Sequence, residues 1–200
     1  MNFSESKKLE SKKNKFLKVY SEKEDFNQYW FSENTIDFIV KQIEKNGKKV
    51  AFVSTPSVFF SVNEELQKNS ILFDYDENFS KKCKNFVKFD YRDYEGIKDF
   101  DNYFDFILVD PPYINEEAWT KYSNFIRKIG KTTKDIDGNV LIECKILTCS
   151  IAENKEILEK LLNLKIKKFK PSIPHLVYQY NFYSNYEDDE FEKENEEIIN

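Results

Sequence analysis

Short apolar runs alternate with amphipathic stretches along most of the chain. Runs of β-forming residues predict strands over 50–53, 71–73, 86–89, 106–109, 140–149, 165–169 and 177–183. Apolar side chains at helical spacing predict helices over 36–43, 58–68, 116–129 and 151–162. This alternation predicts an α/β fold with a doubly wound, mostly parallel sheet. The last two strands have no helix between them, so they predict an antiparallel edge.

The pattern changes most abruptly within residues 104–113. The apolar run 106–109 does not alternate, which is typical of a parallel strand covered on both faces. It is followed by Asp110, Pro111, Pro112 and Tyr113. Neither proline has an N–H to continue the strand, so Asp110 is predicted at the carboxyl end, where open α/β sheets bind ligands. A rigid turn, with the acid accepting local backbone hydrogen bonds, is the simpler interpretation.

An Asp-Pro-Pro-Tyr sequence after a buried strand resembles the signature of S-adenosylmethionine-dependent methyltransferases that act on planar or primary amines. A carboxylate and a carbonyl of the proline-fixed backbone can accept the hydrogens of an amine and aim its lone pair at a methyl sulfonium. The ring of Tyr113 can stack on a base or face a cationic amine. We therefore predict that the catalytic residues are Asp110, Pro111, Pro112 and Tyr113.

Acids also end the two preceding strands. Asp74 follows the strand at 71–73, where a carboxylate can accept both hydroxyl hydrogens of a ribose. An N-cap for the segment around Phe79 is the alternative role for Asp74. Asp90 and Tyr91 follow the third strand and are predicted to bond an adenine amine and to flank its ring.

The turn after the first strand contains Ser54, Thr55 and Pro56 but no glycine. A dinucleotide-binding turn would carry Gly-x-Gly, so this turn alone does not identify a cofactor site. Small residues still permit close backbone approach, and the following helix offers N–H donors. Trp30 and Phe31, just before the first helix, either plug the end of the core or close over a cofactor. We include all five residues in the predicted cofactor site.

The composition restricts the classes of function. The formal net charge of -5 over 200 residues argues against a protein that binds mainly by neutralising phosphates, so nucleic acid is an unexpected partner. Cys83, Cys144 and Cys149 lack paired ligand spacing and are interpreted as reduced packing residues, so no metal site is predicted. No apolar run is long enough to span a membrane and no signal-peptide pattern opens the sequence, which predicts a cytoplasmic protein without a membrane partner.

The two ends of the sequence carry opposite charge. Lysines crowd residues 1–20, which we expect to be a flexible arm, and acids crowd residues 187–200, which we expect to be a disordered tail. Residues 21–186 are predicted to form the folded domain, acting as a monomer. His175, the one histidine, lies in a predicted loop and is assigned no role.

Five segments together resemble the eukaryotic elongation factor 1-alpha lysine methyltransferases, a group first described by similarity to adenine-specific DNA methyltransferases. In the order of that family the chain has Gln-Tyr-Trp-Phe-Ser at 28–32, Val-Ser-Thr-Pro-Ser-Val-Phe at 53–59, Phe-Asp-Tyr-Asp at 73–76, Phe-Asp-Tyr at 89–91 and Asp-Pro-Pro-Tyr at 110–113. The glycine-free turn is itself a trait of the family.

The resemblance implies a Rossmann-like class I methyltransferase fold, S-adenosyl-L-methionine as cofactor and a lysine of elongation factor 1-alpha as the target. The sequence departs from the family at Thr148-Cys149-Ser150, where Cys-Thr-Gly is expected, at an insertion over 131–137 and at Tyr178, where asparagine is usual. These departures bear on the substrate rather than on the cofactor.

Two other functions stay open. An adenine methyltransferase acting on DNA or RNA would have to turn its base out of the stack and usually adds a basic recognition region, which residues 21–186 do not show. A catalytically silent protein that only binds a partner would have no need of Asp110 and Tyr113. The sequence favours the lysine methyltransferase.

Overall fold

A computed structural model describes residues 14–198. Its helices are α1 (Lys15–Val19), α2 (Glu33–Asn46), α3 (Pro56–Phe59), α4 (Glu64–Lys68), α5 (Glu116–Ile129) and α6 (Lys155–Leu162). Its strands are β1 (Val50–Val53), β2 (Ile71–Asp74), β3 (Phe86–Lys88), β4 (Phe106–Val109), β5 (Thr132–Lys134), β6 (Val140–Ile142), β7 (Lys145–Ser150), β8 (Lys165–Ile166) and β9 (Asn181–Ser184).

Seven strands form one sheet in the order β3-β2-β1-β4-β7-β9-β8. The first five of these run parallel, whereas β9 is antiparallel to both β7 and β8. The predicted doubly wound sheet with an antiparallel edge is therefore confirmed. The chain order reverses between β1 and β4, and such a switch point opens a crevice at the carboxyl ends of the strands.

The core fills both faces of this sheet. All residues of β1 and β4 are buried, because helices cover each face, and this explains their continuous apolar runs. On one face α2 packs Ile36, Ile39 and Ile43 against the sheet. On the other face α5 contributes a second apolar cluster that also includes side chains of α6.

Local caps fix the two long helices. The Ser32 hydroxyl accepts the N–H of Thr35 at 3.1 Å, as expected of the predicted N-cap of α2. Asn115 caps α5 in the same way through the N–H of Ala118, and Gly130 ends that helix. The helix predicted over 116–129 has these same bounds in the structure.

Two predicted elements are each divided in the structure. The helix predicted over 58–68 is two short helices, since Asn63 caps a new start by accepting the N–H of Leu66 at 2.9 Å. The strand predicted over 140–149 is divided into β6 and β7. Strand β6 pairs with β5 in a separate antiparallel hairpin.

The described part of the predicted flexible arm packs against the domain, which corrects that prediction for residues 14–20. Phe16 is 3% exposed and its ring meets Trp30 edge-on at 5.0 Å between centroids. The Asn14 side chain donates to the Ser61 hydroxyl at 2.8 Å. Residues 1–13 of the predicted arm lie outside the described residues.

The tail predicted to be disordered is also packed, from residue 187 to residue 198. Phe191 is fully buried in the same core cluster as α2, within the 3-10 helix Asp189–Glu192. Asp188 pairs with Lys45 at 2.6 Å and Asn195 accepts from Asn34 at 2.9 Å. Acidic composition predicts disorder only where no partner is available, and here distant parts of the chain supply the partners.

Candidate active site

A cavity of about 340 Å³ lies at the carboxyl ends of β1, β2 and β4, at the switch point of the sheet. Most of the residues predicted for the site line it: Trp30, Ser54, Pro56, Asp74, Asp90, Tyr91, Asp110, Pro111, Pro112 and Tyr113. Phe31 and Thr55 do not line it. The structure thus brings residues from five separated segments to one cavity.

Asp110 follows β4 and is held from both neighbouring strands. Its N–H donates to the Val53 carbonyl at 3.1 Å, and its carboxylate Oδ1 accepts the thiol of Cys149 at 3.2 Å. Burial of the carboxyl raises the pKa of Asp110 to about 7, and the thiol only partly opposes this effect. Asp110 therefore changes charge near neutral pH.

Asp74 is the second acid with a raised pKa. Its side chain is 5% exposed and accepts the N–H of Asp76 at 2.8 Å. Burial raises the pKa of Asp74 to about 7, despite that hydrogen bond. Its place at the end of β2 agrees with the predicted position of a ribose-binding acid.

Asp76 also lines the cavity, although the prediction assigned it no role. Burial would raise the pKa of Asp76, but the Lys23 ammonium and two hydrogen bonds from Asn78 outweigh it and lower the pKa. Asp76 is thus ionised beside Asp74. The sequence holds the signal for this residue in Phe-Asp-Tyr-Asp at 73–76, where either acid could face the cavity.

Asp90 lies at the cavity with both carboxylate oxygens engaged. Arg92 Nε donates to one oxygen at 2.9 Å and Nη2 to the other at 2.7 Å. This pairing with Arg92 lowers the pKa of Asp90. An adenine amine at Asp90 would share these oxygens with Arg92. Tyr91 stacks on Tyr122 at 5.4 Å between centroids and presents its ring to the cavity.

Ser54 adopts a positive φ, a backbone conformation for which dinucleotide-binding turns use glycine. Its φ is 58°, a left-handed conformation that costs a residue with a side chain about 1 kcal/mol or more. Its hydroxyl lies 3.2 Å from the hydroxyl of Tyr122, and its N–H donates to the Phe73 carbonyl at 2.8 Å. These bonds hold the glycine-free turn against the strand ends.

Two residues of the predicted cofactor site, Phe31 and Thr55, are buried beside the cavity rather than in its wall. Phe31 is 4% exposed, packs in the cluster beneath α2 and does not line the cavity. Thr55 is buried, and its hydroxyl has no hydrogen-bond partner among the described residues. Trp30 combines both interpretations, because its ring packs on Phe16 and also lines the cavity.

Residues 20–31, which we call the cap segment, cover one side of the cavity. The side chain of Asn27 donates to the Pro112 carbonyl, and Lys23 pairs with Asp76. Glu22 accepts the N–H of Trp30 at 2.8 Å and contacts His175 Nδ1 at 2.6 Å. The sequence did not reveal the contacts to Pro112, Asp76 and His175, because each joins residues that are far apart in the chain.

A second unpredicted wall comes from the loop before β9, through Ile173, Leu176 and Tyr180. Within residues 14–198, the lining carries one basic side chain, Arg92, against five aspartates: Asp25, Asp74, Asp76, Asp90 and Asp110. Such a cavity favours a cationic ligand.

Comparison with known proteins agrees with this geometry. A family model described as "Probable N6-adenine methyltransferase" matches residues 22–188. The chain belongs to this family. The family resemblance found in the sequence, and the prediction that the protein is a methyltransferase, are thereby confirmed.

Curated relatives within the family cover most of the chain. A protein-lysine N-methyltransferase of Dictyostelium discoideum is 31% identical over 83% of this chain and 78% of its own length. EEF1A lysine methyltransferase 1 of Homo sapiens is 29% identical over 84% of this chain and 77% of its own length. The bovine protein of that name is 29% identical over 76% of this chain, which spans 66% of the bovine length.

One solved structure bears on the fold. The C9 mutein of the branched-chain polyamine synthase from Thermus thermophilus, in complex with N4-aminopropylspermidine and 5'-methylthioadenosine, matches with a TM-score of 0.62 and 11% identity. The match covers 84% of this chain and 60% of that one. Together with the sheet order, this likeness confirms the class I methyltransferase fold. No helix among residues 14–198 is long and apolar enough to cross a membrane.

Proposed function

We propose that the protein transfers a methyl group from S-adenosyl-L-methionine to a lysine amine of a protein, with elongation factor 1-alpha as the target. The observation that carries the proposal is the carboxyl of Asp110, which lies in an acidic cavity at the head of Pro111-Pro112-Tyr113. Relatives named as protein-lysine methyltransferases support the choice of acceptor.

The residues at the cavity fit the proposed cofactor. Asp74 at the end of β2 would accept the ribose hydroxyls, and the ring of Tyr91 would flank the adenine. The turn at Ser54 carries small side chains, which permit close approach of a ligand to the backbone at the strand end. When bound, S-adenosyl-L-methionine supplies an electrophilic methyl group on a sulfonium.

In the proposed reaction Asp110 receives and orients the acceptor lysine. An unperturbed lysine amine has a pKa near 10.4, so it arrives protonated and has to lose a proton before its lone pair can attack. Asp110 attracts the ammonium, and with its raised pKa it is a better proton acceptor than an exposed aspartate. The Pro111 carbonyl would accept a second amine hydrogen, and the Tyr113 ring would face the alkyl-ammonium group.

Labelled S-adenosyl-L-methionine tests this proposal. The wild-type protein should transfer label to purified elongation factor 1-alpha, and mass spectrometry should locate it on a lysine. Asp110→Asn should slow the transfer by about a hundredfold or more while the cofactor still binds, since the acceptor loses its charge partner. Asp137→Asn, on the exposed hairpin between β5 and β6, is the matched control and should act like the wild type.

The description of the family model favours one alternative, transfer to the N6 amine of adenine. The same labelling assay with DNA and RNA decides between the two acceptors. Label on nucleic acid and none on protein would replace the lysine proposal by the adenine one. The acidic lining argues against it, because nucleic-acid phosphates are repelled by carboxylates.

A further inference from the structure

Cys149 is the side chain that contacts the carboxylate of Asp110. It lies on β7, beside β4, where Val109 pairs with Thr148 and the next residues, Asp110 and Cys149, come side by side. The thiol is 1% exposed and its Sγ lies 3.2 Å from Asp110 Oδ1. Among the described residues it is the hydrogen-bond partner of this carboxylate.

We propose that Cys149 is a positioning residue, whose thiol holds Asp110 Oδ1 so that Oδ2 is presented to the acceptor amine. This inference rests on the proposed function, because it takes Asp110 as the group that receives the amine. A carboxylate on a single Cβ–Cγ bond rotates freely unless a partner fixes one oxygen. Fixing it before the substrate arrives removes an ordering cost from the reaction.

The state of the thiol allows this role. Burial raises the pKa of Cys149 well above its ordinary value, and the charge of Asp110 raises it further, so the thiol keeps its proton and can donate. The other titratable groups facing Asp110 are the hydroxyls of Tyr122, on α5, and Tyr180, before β9. Burial raises the pKa of both, so each stays neutral.

A thiol is also a weak hydrogen-bond donor, and the strength of the donor affects how readily Asp110 accepts the proton of the lysine. A strong donor would stabilise the carboxylate and lower the pKa of Asp110, making it a poorer proton acceptor for the incoming lysine. The thiol therefore fixes the geometry of the acid with little loss of its basicity. It stays un-ionised and undergoes no covalent step.

Single-turnover methyl transfer measured against pH tests the proposal. Cys149→Ala removes the donor and should lower the transfer rate about tenfold, with unchanged cofactor affinity. The rise of the rate with pH should move to higher pH, since loss of the hydrogen bond raises the pKa of Asp110. Cys149→Ser restores a donor and should return the rate to within about threefold of the wild type. Its midpoint should move to lower pH, because a hydroxyl is the stronger donor.

Cys144→Ala is the matched control, because Cys144 is another buried cysteine and lies away from the cavity. It should change melting temperature without moving the pH profile. A Cys149→Ala protein that folds and keeps the wild-type rate and pH profile would overturn the proposal. If that variant does not fold, Cys149→Ser decides alone: an unmoved pH profile refutes the donor role.

The Asp110→Asn variant separates this inference from the proposed function. Wild-type transfer by Asp110→Asn would remove Asp110 from the reaction and defeat the proposed active site. An inactive Asp110→Asn beside an unaffected Cys149→Ala would defeat the role of the thiol alone. In the double variant the effect of Cys149→Ala should vanish, since the two residues act as one unit.

Discussion

At the scale of single residues, two aspartates at strand ends give the site its chemical character. Burial raises the pKa of both Asp74 and Asp110 to about 7, and their partners at the cavity wall compensate only in part. The two acids therefore titrate near neutral pH. Perturbed groups of this kind concentrate at functional sites, because the fold tolerates their cost for the sake of the reaction.

The first prediction concerns the pH dependence of transfer. Asp110 is ionised above its pKa of about 7 and neutral below it, and only the ionised form attracts an ammonium and accepts a proton. The single-turnover rate should therefore rise about tenfold per pH unit below the midpoint and level off above it. Rapid-quench measurement from pH 5.5 to 8.5 checks it; a rate that falls with rising pH would contradict it.

The same raised pKa of Asp110 predicts that the free energy of unfolding falls with rising pH, whereas the transfer rate rises. Between the ordinary carboxyl pKa of 3.8 and about 7, the unfolded chain releases the proton of Asp110 while the folded protein keeps it. Stability from this group thus falls as pH rises through that window. Asp110→Asn should raise the free energy of unfolding at pH 8 by about 4 kcal/mol, and by nearly nothing at pH 4.

Urea titration of the cofactor-free protein at the two pH values measures the difference. Asp137→Asn serves again as the control, since its carboxyl is exposed and far from the cavity. Equal stability of Asp110→Asn and the wild type at pH 8 would show that the buried charge costs nothing.

Ser54 gives a prediction about backbone strain. Ser54→Gly leaves the Tyr122 hydroxyl unpaired but also relieves the φ of 58°, so it should destabilise the protein by about 1 kcal/mol less than Ser54→Ala does. Ser54→Ala keeps the strain and leaves the buried Tyr122 hydroxyl unpaired, so it should destabilise by about 1 to 3 kcal/mol. Thermal unfolding of both variants compares them. Equal loss in both would mean that the φ angle carries no strain.

At the scale of elements, the local signals were sufficient where local forces decide the structure. The bounds of α5 follow from its apolar stripe, the Asn115 cap and Gly130, all contained in one stretch of sequence. Strand β4 follows from four consecutive apolar residues ended by prolines. The strand-end acids could be assigned to the site for the same reason, because parallel strands bring their carboxyl ends together.

The sequence was insufficient where distant residues decide the structure. The tail contains few apolar residues, yet Phe191 fits between Phe38 and Tyr186, with ring centroids 5.8 Å and 5.5 Å away. The cap segment lacks periodicity and is fixed by Pro112, Asp76 and His175. Phe31 could not be distinguished from Trp30, since adjacent aromatics give one pattern whichever ring faces the cavity.

The packed tail leads to a prediction opposite to that for a disordered one. Phe191→Ala empties a fully buried site in the core under α2 and should destabilise the protein by about 3 to 5 kcal/mol. Cofactor affinity should change little in the folded variant, because Phe191 is not part of the cavity lining. Glu192→Ala, next to it on an exposed site, is the control. A melting temperature unchanged by Phe191→Ala would contradict the packed tail and support a disordered one.

At the scale of the whole molecule, charge should govern how the substrate arrives. The formal net charge is -5 and the cavity is acidic, so a lysine-bearing segment is attracted through a field that salt screens. The apparent KM for the protein substrate should rise several-fold between about 0.05 M and about 0.3 M salt, with kcat nearly constant. Asp25→Asn, at the exposed rim, should weaken the salt dependence, and Asp137→Asn should not.

The cap segment sets a condition on turnover. It is joined to Asp76 through Lys23, to the Pro112 carbonyl through Asn27 and to His175, in the loop before β9, through Glu22. In the proposed reaction the demethylated cofactor leaves from beside the cap segment, and we expect some of these three contacts to break first. We therefore expect a rapid first turnover followed by a slower steady state, in which release of the demethylated cofactor is the rate-limiting step.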